Sequence, residues 1–154
     1  MANEQLPRAG GSYVLGLELS RSRKLKVGRL GEVTLPAGVY AYAGSAFGSG
    51  GLQARLGRHL RGDGAKHWHI DYVRAVAKVR FCFYTVTDTS LECAWSQALA
   101  AMPGATLPVP GLGASDCRSG CGAHLIALPP AVDLGLVQQT LVQLSGQCLR
   151  YDLG

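Results

Sequence analysis

The stretch 40–71 limits the folds open to this chain more than any other segment. A strand-like run over 38–43 leads into a turn with glycine at positions 44, 48, 50 and 51. A helix-like run follows over 51–61, where leucines recur every four residues and would form one buried stripe. The segment therefore predicts a strand, a glycine-rich turn and an amphipathic helix in direct succession, with Gly62 at the end of the helix.

Hydrophobic patterns along the rest of the chain predict the order β-β-β-α-(α)-β-α-loop-β-α. The expected strands cover 12–19, 25–30, 38–43, 76–86 and 124–128, and the expected helices cover 51–61, 91–101 and 131–144. The first two strands would pair as a hairpin, and 67–74 would form a short helix or turn. The run from Thr89 to Glu92 has the pattern of a helix capping box. Residues 1–10 are expected to be a flexible tail and 11–154 a single domain.

Charge divides the chain into two unlike halves. Residues 1–80 hold 13 Lys and Arg against 5 Asp and Glu, whereas 81–154 hold 2 against 5. A basic half favours a polyanionic partner, and a solvated basic face without a partner is the alternative. The sequence has no apolar run of about 18 residues and no signal-peptide pattern at its start. We therefore expect a cytoplasmic protein that contacts no membrane.

Five residues supply the side chains that phosphodiester hydrolysis requires: Tyr13, Tyr42, Arg55, His59 and Glu92. A tyrosine or histidine can take the proton of the attacking water, and an arginine can stabilise the pentavalent phosphate. A lone carboxylate can hold a divalent metal that assists the leaving oxygen. Taken singly, Tyr13 and Tyr42 could be ordinary strand tyrosines, Arg55 a surface arginine and Glu92 a helix cap.

The glycine-rich turn admits two interpretations. It could present backbone N–H groups to a phosphate at the start of the helix. It lacks the Gly-Lys-Ser/Thr of a Walker loop and the dinucleotide fingerprint, which argues against nucleotide triphosphates and NAD. We therefore interpret the turn as a link that aims the following helix.

Several motifs occur in a fixed order along residues 11–128. They are Gly11-Ser12-Tyr13, Tyr42-Ala43-Gly44-Ser45, Arg55-x-x-Arg58-His59, His67-Trp68-His69-Ile70-Asp71-Tyr72, Glu92-Cys93 and Cys121-x-x-His124-Leu125. In this order they resemble the GIY-YIG nuclease superfamily, and within it the Uri-like endonuclease branch, formerly a domain of unknown function. The resemblance implies an α+β fold, with a small, mostly antiparallel sheet flanked by helices. The segment 20–35 would be an extra N-terminal hairpin that carries five basic residues.

The resemblance also implies a function, which is metal-dependent cleavage of DNA, in DNA repair, with RNA as the alternative substrate. Tyr13 and Tyr42 would line the site, and one of them would act as general base or orient the water. Arg55 would bind the scissile phosphate, with His59 beside it as a proton-transfer or phosphate-binding group. Glu92 would be the sole protein ligand of one Mg²⁺ or Mn²⁺. The residues expected to contact DNA are Arg21, Arg23, Lys24, Ser45, Arg58, Arg61 and Lys66.

Two other functions remain open at this stage. A non-catalytic nucleic-acid-binding module could have the same fold. A structural or interaction domain with a basic face would bind no nucleic acid at moderate salt.

A second group of residues has the composition of a metal site: His67, His69, Asp71, Cys117, Cys121 and His124. Two thiolates and an imidazole would supply three zinc ligands, and His67 or His69 could supply a fourth. The alternatives are a pair of loop thiols and a structural network packed around Trp68. The other three cysteines, Cys82, Cys93 and Cys148, have apolar neighbours and are expected to be buried thiols.

Overall fold

Five antiparallel strands form the central sheet of the computed structural model, which describes residues 6–62, 65–66, 68–113, 121, 123–151 and 153. The strands are β1 (Gly11–Leu19), β4 (Gly38–Ala46), β5 (Lys78–Val86), β6 (Leu125–Ala127) and β7 (Leu149–Arg150), in the order β6-β4-β1-β5-β7. A separate two-stranded sheet contains β2 (Arg23–Val27) and β3 (Gly31–Leu35). The described helices are α1 (Gly51–Arg61), α2 (His69–Arg74), α3 (Glu92–Ala100) and α4 (Leu134–Ser145). The predicted α+β class, with its antiparallel sheet, flanking helices and extra hairpin, is confirmed.

The two faces of the central sheet carry separate apolar cores. Side chains alternate between faces along a strand, so Tyr13 and Leu15 of β1 enter one core while Val14 enters the other. The first core includes Leu56 of α1, and the second includes Trp95 of α3. Burying one such large side chain stabilises the fold by about 1.5–3 kcal/mol. The alternation directs Tyr13 toward α1.

The extra hairpin is built differently from the pairing expected for the first two strands. β2 pairs with β3 in the register Leu25↔Val33, and it does not extend β1. The reason is that β1 is already paired along both of its edges, with β4 and with β5. The expected hairpin of the first two strands is therefore wrong, although 20–35 does contain a hairpin.

The starts of α3 and α4 also differ from the predicted starts. α3 has Leu91 as its N-cap, without a side-chain cap hydrogen bond, so the capping box from Thr89 to Glu92 is wrong. The Leu91 N–H instead donates to Ser12 Oγ at 2.9 Å. Ser12 thereby takes the place of a local capping side chain as partner for a backbone N–H at the helix start. α4 begins at Leu134 because the Asp133 side chain accepts from Gly135 N and caps it there.

Residues 6–10 lie against α1 and differ from the expected flexible tail. Leu6 is buried, the Ala9 carbonyl accepts from Leu52 N at 2.9 Å, and the Pro7 carbonyl accepts from Gln53 N at 2.9 Å. These carbonyls satisfy N–H groups that have no partner within the helix. The start of α1 is thereby closed to a phosphate, which agrees with the interpretation of the glycine turn as a link.

Gly50 and Gly51 make this link sterically feasible. Their φ angles are +83° and +56°, a region that glycine enters at little cost. A Cβ on Gly51 would also lie 2.3 Å from the Ala9 carbonyl oxygen.

None of the helices in the described ranges has the length and hydropathy needed to cross a membrane.

Candidate active site and metal group

Tyr13 and His59 form the buried centre of the site. The Tyr13 hydroxyl lies 2.9 Å from His59 Nε2, and the two residues are 0% and 2% exposed. The Tyr42 ring lies 6.4 Å, between centroids, from both the Tyr13 and the His59 rings. Because Tyr13 pairs with Gly44 across β1 and β4, Tyr42 lies on the same face two residues along. The structure therefore brings three of the predicted site residues together.

Burial sets the protonation of this centre. The pKa of His59 is lowered to about 4, mainly by burial and also by Arg55 and Arg58, while Asp71 opposes the shift. Burial also raises the pKa of Tyr13 well above its usual value, and that of Tyr42 as well. At neutral pH the imidazole is therefore neutral and both phenols keep their protons.

Asp71 gives the two nitrogens of His59 different surroundings. Its Oδ1 lies 3.7 Å from His59 Nδ1, a distance that favours a proton on that nitrogen without forming a hydrogen bond. Nε2 is then left as the acceptor for the Tyr13 hydroxyl. The sequence grouped Asp71 with candidate metal ligands, whereas the structure places it beside His59.

Arg55 lies at the rim of the tyrosine pair. Its Nη1 donates to the Ser45 carbonyl at 3.0 Å, and its Cζ lies 4.1 Å from the centroid of the Trp68 ring. It is close enough to Tyr13 to lower the pKa of that phenol. A carbonyl oxygen and an aromatic face orient a guanidinium without neutralising it. Arg55 is therefore positioned as a cation beside the phenols.

Unlike Arg55, Arg58 is engaged in an ion pair that holds two helices together. It donates to both carboxylate oxygens of Asp71, at 3.0 and 3.2 Å, and its Cζ lies 4.9 Å from the Trp68 ring centroid. The backbone N–H of Trp68 also donates to Asp71 Oδ2, at 2.8 Å. A bidentate pair of this kind is geometrically specific, so Arg58 and Asp71 fix α2 against α1.

Glu92 begins α3 at the same end of β1 and β4. Its charge contributes to the raised pKa of both Tyr13 and Tyr42, and the preceding residue, Leu91, donates its N–H to Ser12 Oγ, next to Tyr13. Sequence reasoning missed the Ser12 and Ser90 hydroxyls that fix this helix start. Ser45 Oγ lies 3.3 Å from Ser12 Oγ and 2.7 Å from Ser90 Oγ, while Ser12 Oγ holds the Leu91 N–H. The available signal was Ser12, a polar residue directly before Tyr13 at the start of a mostly apolar strand.

The residues expected to contact DNA lie in several places. Lys24 and Lys66 line one groove between β2 and α2, where Lys24 also pairs with Glu32 at 3.6 Å. Arg21, Lys24, Arg61 and Lys66 are exposed, Arg23 and Ser45 are partly buried, and Arg58 is paired with Asp71.

Cys93, Cys121 and His124 form the metal-capable group of the described residues. Their ligand atoms all lie within 4.8 Å of one another, and Cys93 Sγ is 3.6 Å from His124 Nε2. Cys93 is only partly buried, so the expectation that it is a buried thiol is wrong, whereas Cys82 and Cys148 are buried as predicted. Burial raises the pKa of the Cys148 thiol to about 12 and also raises that of Cys82.

The remaining candidate ligands lie elsewhere. His69 Nδ1 accepts from Gly113 N at 3.0 Å, and Asp71 is paired with Arg58. His67 and Cys117 are outside the described residues. Sequence reasoning missed Cys93 as a partner of Cys121 and His124, because its neighbours along the chain are mostly apolar.

Residues 12–144 match the family model described as "Domain of unknown function DUF123". The chain belongs to the DUF123 family. The matched segment contains the tyrosine pair, Arg55, His59 and Glu92, together with the metal-capable group. No curated protein and no solved structure matches the chain.

In this DUF123 domain the Tyr13 ring packs directly against Gly44, which has no side chain to obstruct it. A Cβ at position 44 would lie 2.6 Å from both Cζ and the hydroxyl oxygen of Tyr13, whose ring is fully buried. We expect Gly44→Ala to lower the free energy of unfolding by about 1–3 kcal/mol in urea, as overpacking does. Gly48→Ala is the matched control, since its Cβ would meet nothing within 4 Å, and it should change stability by less than about 0.5 kcal/mol. Equal stability of the two variants would contradict this packing.

Acid should destabilise the domain through His59. Its pKa falls from 6.5 in the unfolded chain to about 4 in the folded state, so between these values the unfolded chain binds the extra proton. The contribution is fully present above the unfolded pKa and is lost as pH falls toward the folded pKa. It amounts to roughly 3 kcal/mol. Urea unfolding of wild type and His59→Gln, at about pH 7.5 and about pH 4.5, should show a smaller pH difference in the variant. An unchanged difference would contradict the assignment.

Proposed function

We propose that this protein is a metal-dependent endonuclease of the GIY-YIG type that hydrolyses phosphodiester bonds in DNA and acts in the cytoplasm. One observation carries the proposal, which is the gathering of two phenols, an imidazole and a guanidinium beside the helix start that carries Glu92 and is held by Ser12. These groups come from β1, β4, α1 and α3, so local structure alone does not account for their proximity.

The two phenols would have different tasks. Tyr42 is 7% exposed and Tyr13 is 0% exposed, so Tyr42 is nearer to solvent and would orient the attacking water. The Tyr13–His59 pair behind it would take up the proton that leaves this water, because neutral Nε2 is an acceptor. Asp71 would then stabilise the imidazolium across the 3.7 Å to Nδ1.

Arg55 would bind the scissile phosphate. Its guanidinium is held by the Ser45 carbonyl and the Trp68 ring at the rim of the phenol pair. A preorganised cation stabilises the charge that develops on the phosphoryl oxygens without reorganising during the reaction.

Glu92 fits the proposed Mg²⁺ or Mn²⁺. It lies in the first turn of α3, and its negative charge acts on both phenols. Hard cations of this kind are commonly bound through one or two carboxylates and several waters. When bound, such an ion supplies positive charge that stabilises the leaving oxygen.

The group of Cys93, Cys121 and His124 suits a different metal, and we propose that it is zinc. Two thiolates and an imidazole are softer ligands than Mg²⁺ prefers, and they are typical of zinc sites. The ligand types would therefore direct Mg²⁺ or Mn²⁺ to Glu92 and zinc to the cysteines.

Incubating the purified protein with supercoiled plasmid and with branched DNA tests the proposal. With Mg²⁺ or Mn²⁺ we expect nicked or cleaved products, and none in chelator. Salt-sensitive binding without cleavage in any metal would favour the non-catalytic binding module instead. No binding at moderate salt would favour a structural domain.

A further inference from the structure

We infer that a metal ion on Cys93, Cys121 and His124 fastens the first turn of α3 to the edge of the central sheet and thereby positions Glu92. The catalytic meaning of that position rests on the proposed nuclease function. The fastening itself rests on the geometry of the group.

The separation of Cys93 and His124 matches that of two ligands on one tetrahedral ion. Zinc–sulfur and zinc–nitrogen bonds of about 2.3 and 2.0 Å at a tetrahedral angle place the sulfur and nitrogen roughly 3.5 Å apart. The observed separation of Cys93 Sγ and His124 Nε2 is 3.6 Å. Cys121 Sγ completes a set within 4.8 Å, which leaves one position for a further ligand.

The ligands join separate parts of the chain. Cys93 lies in the first turn of α3, whereas His124 immediately precedes β6. The His124 carbonyl accepts from Ala43 N of β4 at 3.1 Å, and its N–H donates to the Leu112 carbonyl at 2.9 Å. An ion on these ligands would therefore link α3 to the strand that carries Tyr42.

Glu92 lies between two anchors. On one side the Ser12 hydroxyl holds the Leu91 N–H, and on the other side Cys93 carries the metal ligand. Consecutive helical residues point about 100° apart, so Glu92 points in a different direction from Cys93 and does not compete with it for the same ion. Loss of the ion would release one anchor and leave the other.

The competing explanation is that these side chains only pack together. Cys121 Sγ lies 3.9 Å from the Cys93 carbonyl oxygen, and Gln97 Nε2 lies 3.7 Å from Cys121 Sγ. Such contacts need no ion. The two explanations differ in metal content and in the effect of metal removal.

Metal analysis of the tag-free protein is the first part of the test. We expect about one zinc per chain in wild type and in the control Cys148→Ala, and its loss in Cys93→Ser and His124→Asn. Replacement by Co²⁺ should give the visible absorption of a tetrahedral thiolate site. Wild-type protein that neither contains zinc nor binds added Zn²⁺ or Co²⁺ would overturn the inference.

Hydrogen exchange measured by mass spectrometry is the second part, and it does not depend on activity. Removing zinc from the wild type should speed amide exchange in residues 92–96 at least tenfold, and adding zinc back should restore protection. Working on one protein avoids variants that fail to fold. Unchanged exchange on removal of bound zinc would overturn the fastening. Zinc-dependent protection without DNA cleavage would support the fastening and contradict the nuclease proposal.

Discussion

Arg55→Ala is expected to slow DNA cleavage by roughly 10²–10³-fold at saturating metal. The guanidinium is fixed by the Ser45 carbonyl at 3.0 Å and by the Trp68 ring, and neither contact neutralises its charge. Under the proposed nuclease function, alanine would remove the cation that stabilises negative charge on the phosphoryl group. Single-turnover cleavage of a labelled DNA measures the effect without interference from product release.

Two further variants complete this test. One keeps the positive charge at position 55, and the other removes a surface arginine elsewhere. Arg55→Lys keeps a positive charge but loses the planar fork and stacking, so its rate should fall between those of wild type and alanine. Arg80→Ala is the matched control, because Arg80 is a half-exposed arginine on β5 that pairs with Glu18 at 3.6 Å. Its rate should stay within about twofold of wild type, as expected for a surface pair. An Arg55→Ala rate equal to that of Arg80→Ala would contradict the assignment.

Glu92→Gln is expected to remove metal-dependent cleavage while leaving DNA binding intact. Glutamine keeps the size of the side chain but not the anionic oxygens that a hard cation requires. Several kcal/mol of lost transition-state stabilisation corresponds to about 10²–10⁴-fold in rate. DNA affinity should stay the same or rise, because the substitution removes a negative charge beside the proposed phosphate site.

The control for Glu92 is Glu18→Gln, a surface carboxylate on β1 that pairs with Arg80. We expect wild-type rates from it with either metal. Rates of Glu92→Gln that equal those of the control over a full Mg²⁺ and Mn²⁺ titration would show that Glu92 does not bind the catalytic ion.

Local patterns predicted much of the fold, because the decisive signals lay within single elements. The leucine period placed α1 at 51–61, where the structure has it, and Gly62 ends the helix in a left-handed conformation. Pairing of the second strand could not be predicted in this way. It depends on β1 having both edges occupied, and that is a property of the assembled sheet.

The candidate site shows the same difference between local signals and long-range contacts. Order along the chain singled out Tyr13 and His59, which the structure brings to 2.9 Å of each other. The partners that hold them are remote in sequence. Asp71 reaches His59 from α2, and Ser12 reaches the start of α3 across 79 positions. The apolar neighbours of Cys93 predict a buried thiol, whereas its metal-capable partners, Cys121 and His124, come from a distant segment.

Single-turnover cleavage of one labelled DNA by wild type, Arg55→Ala, Glu92→Gln and the double variant tests most directly whether one metal-dependent site does the chemistry. If both residues serve the same transition state, each single variant should fall near the background rate, and the double variant should be little slower than either. Cleavage at the wild-type rate in both single variants, with the same metal dependence, would contradict the account.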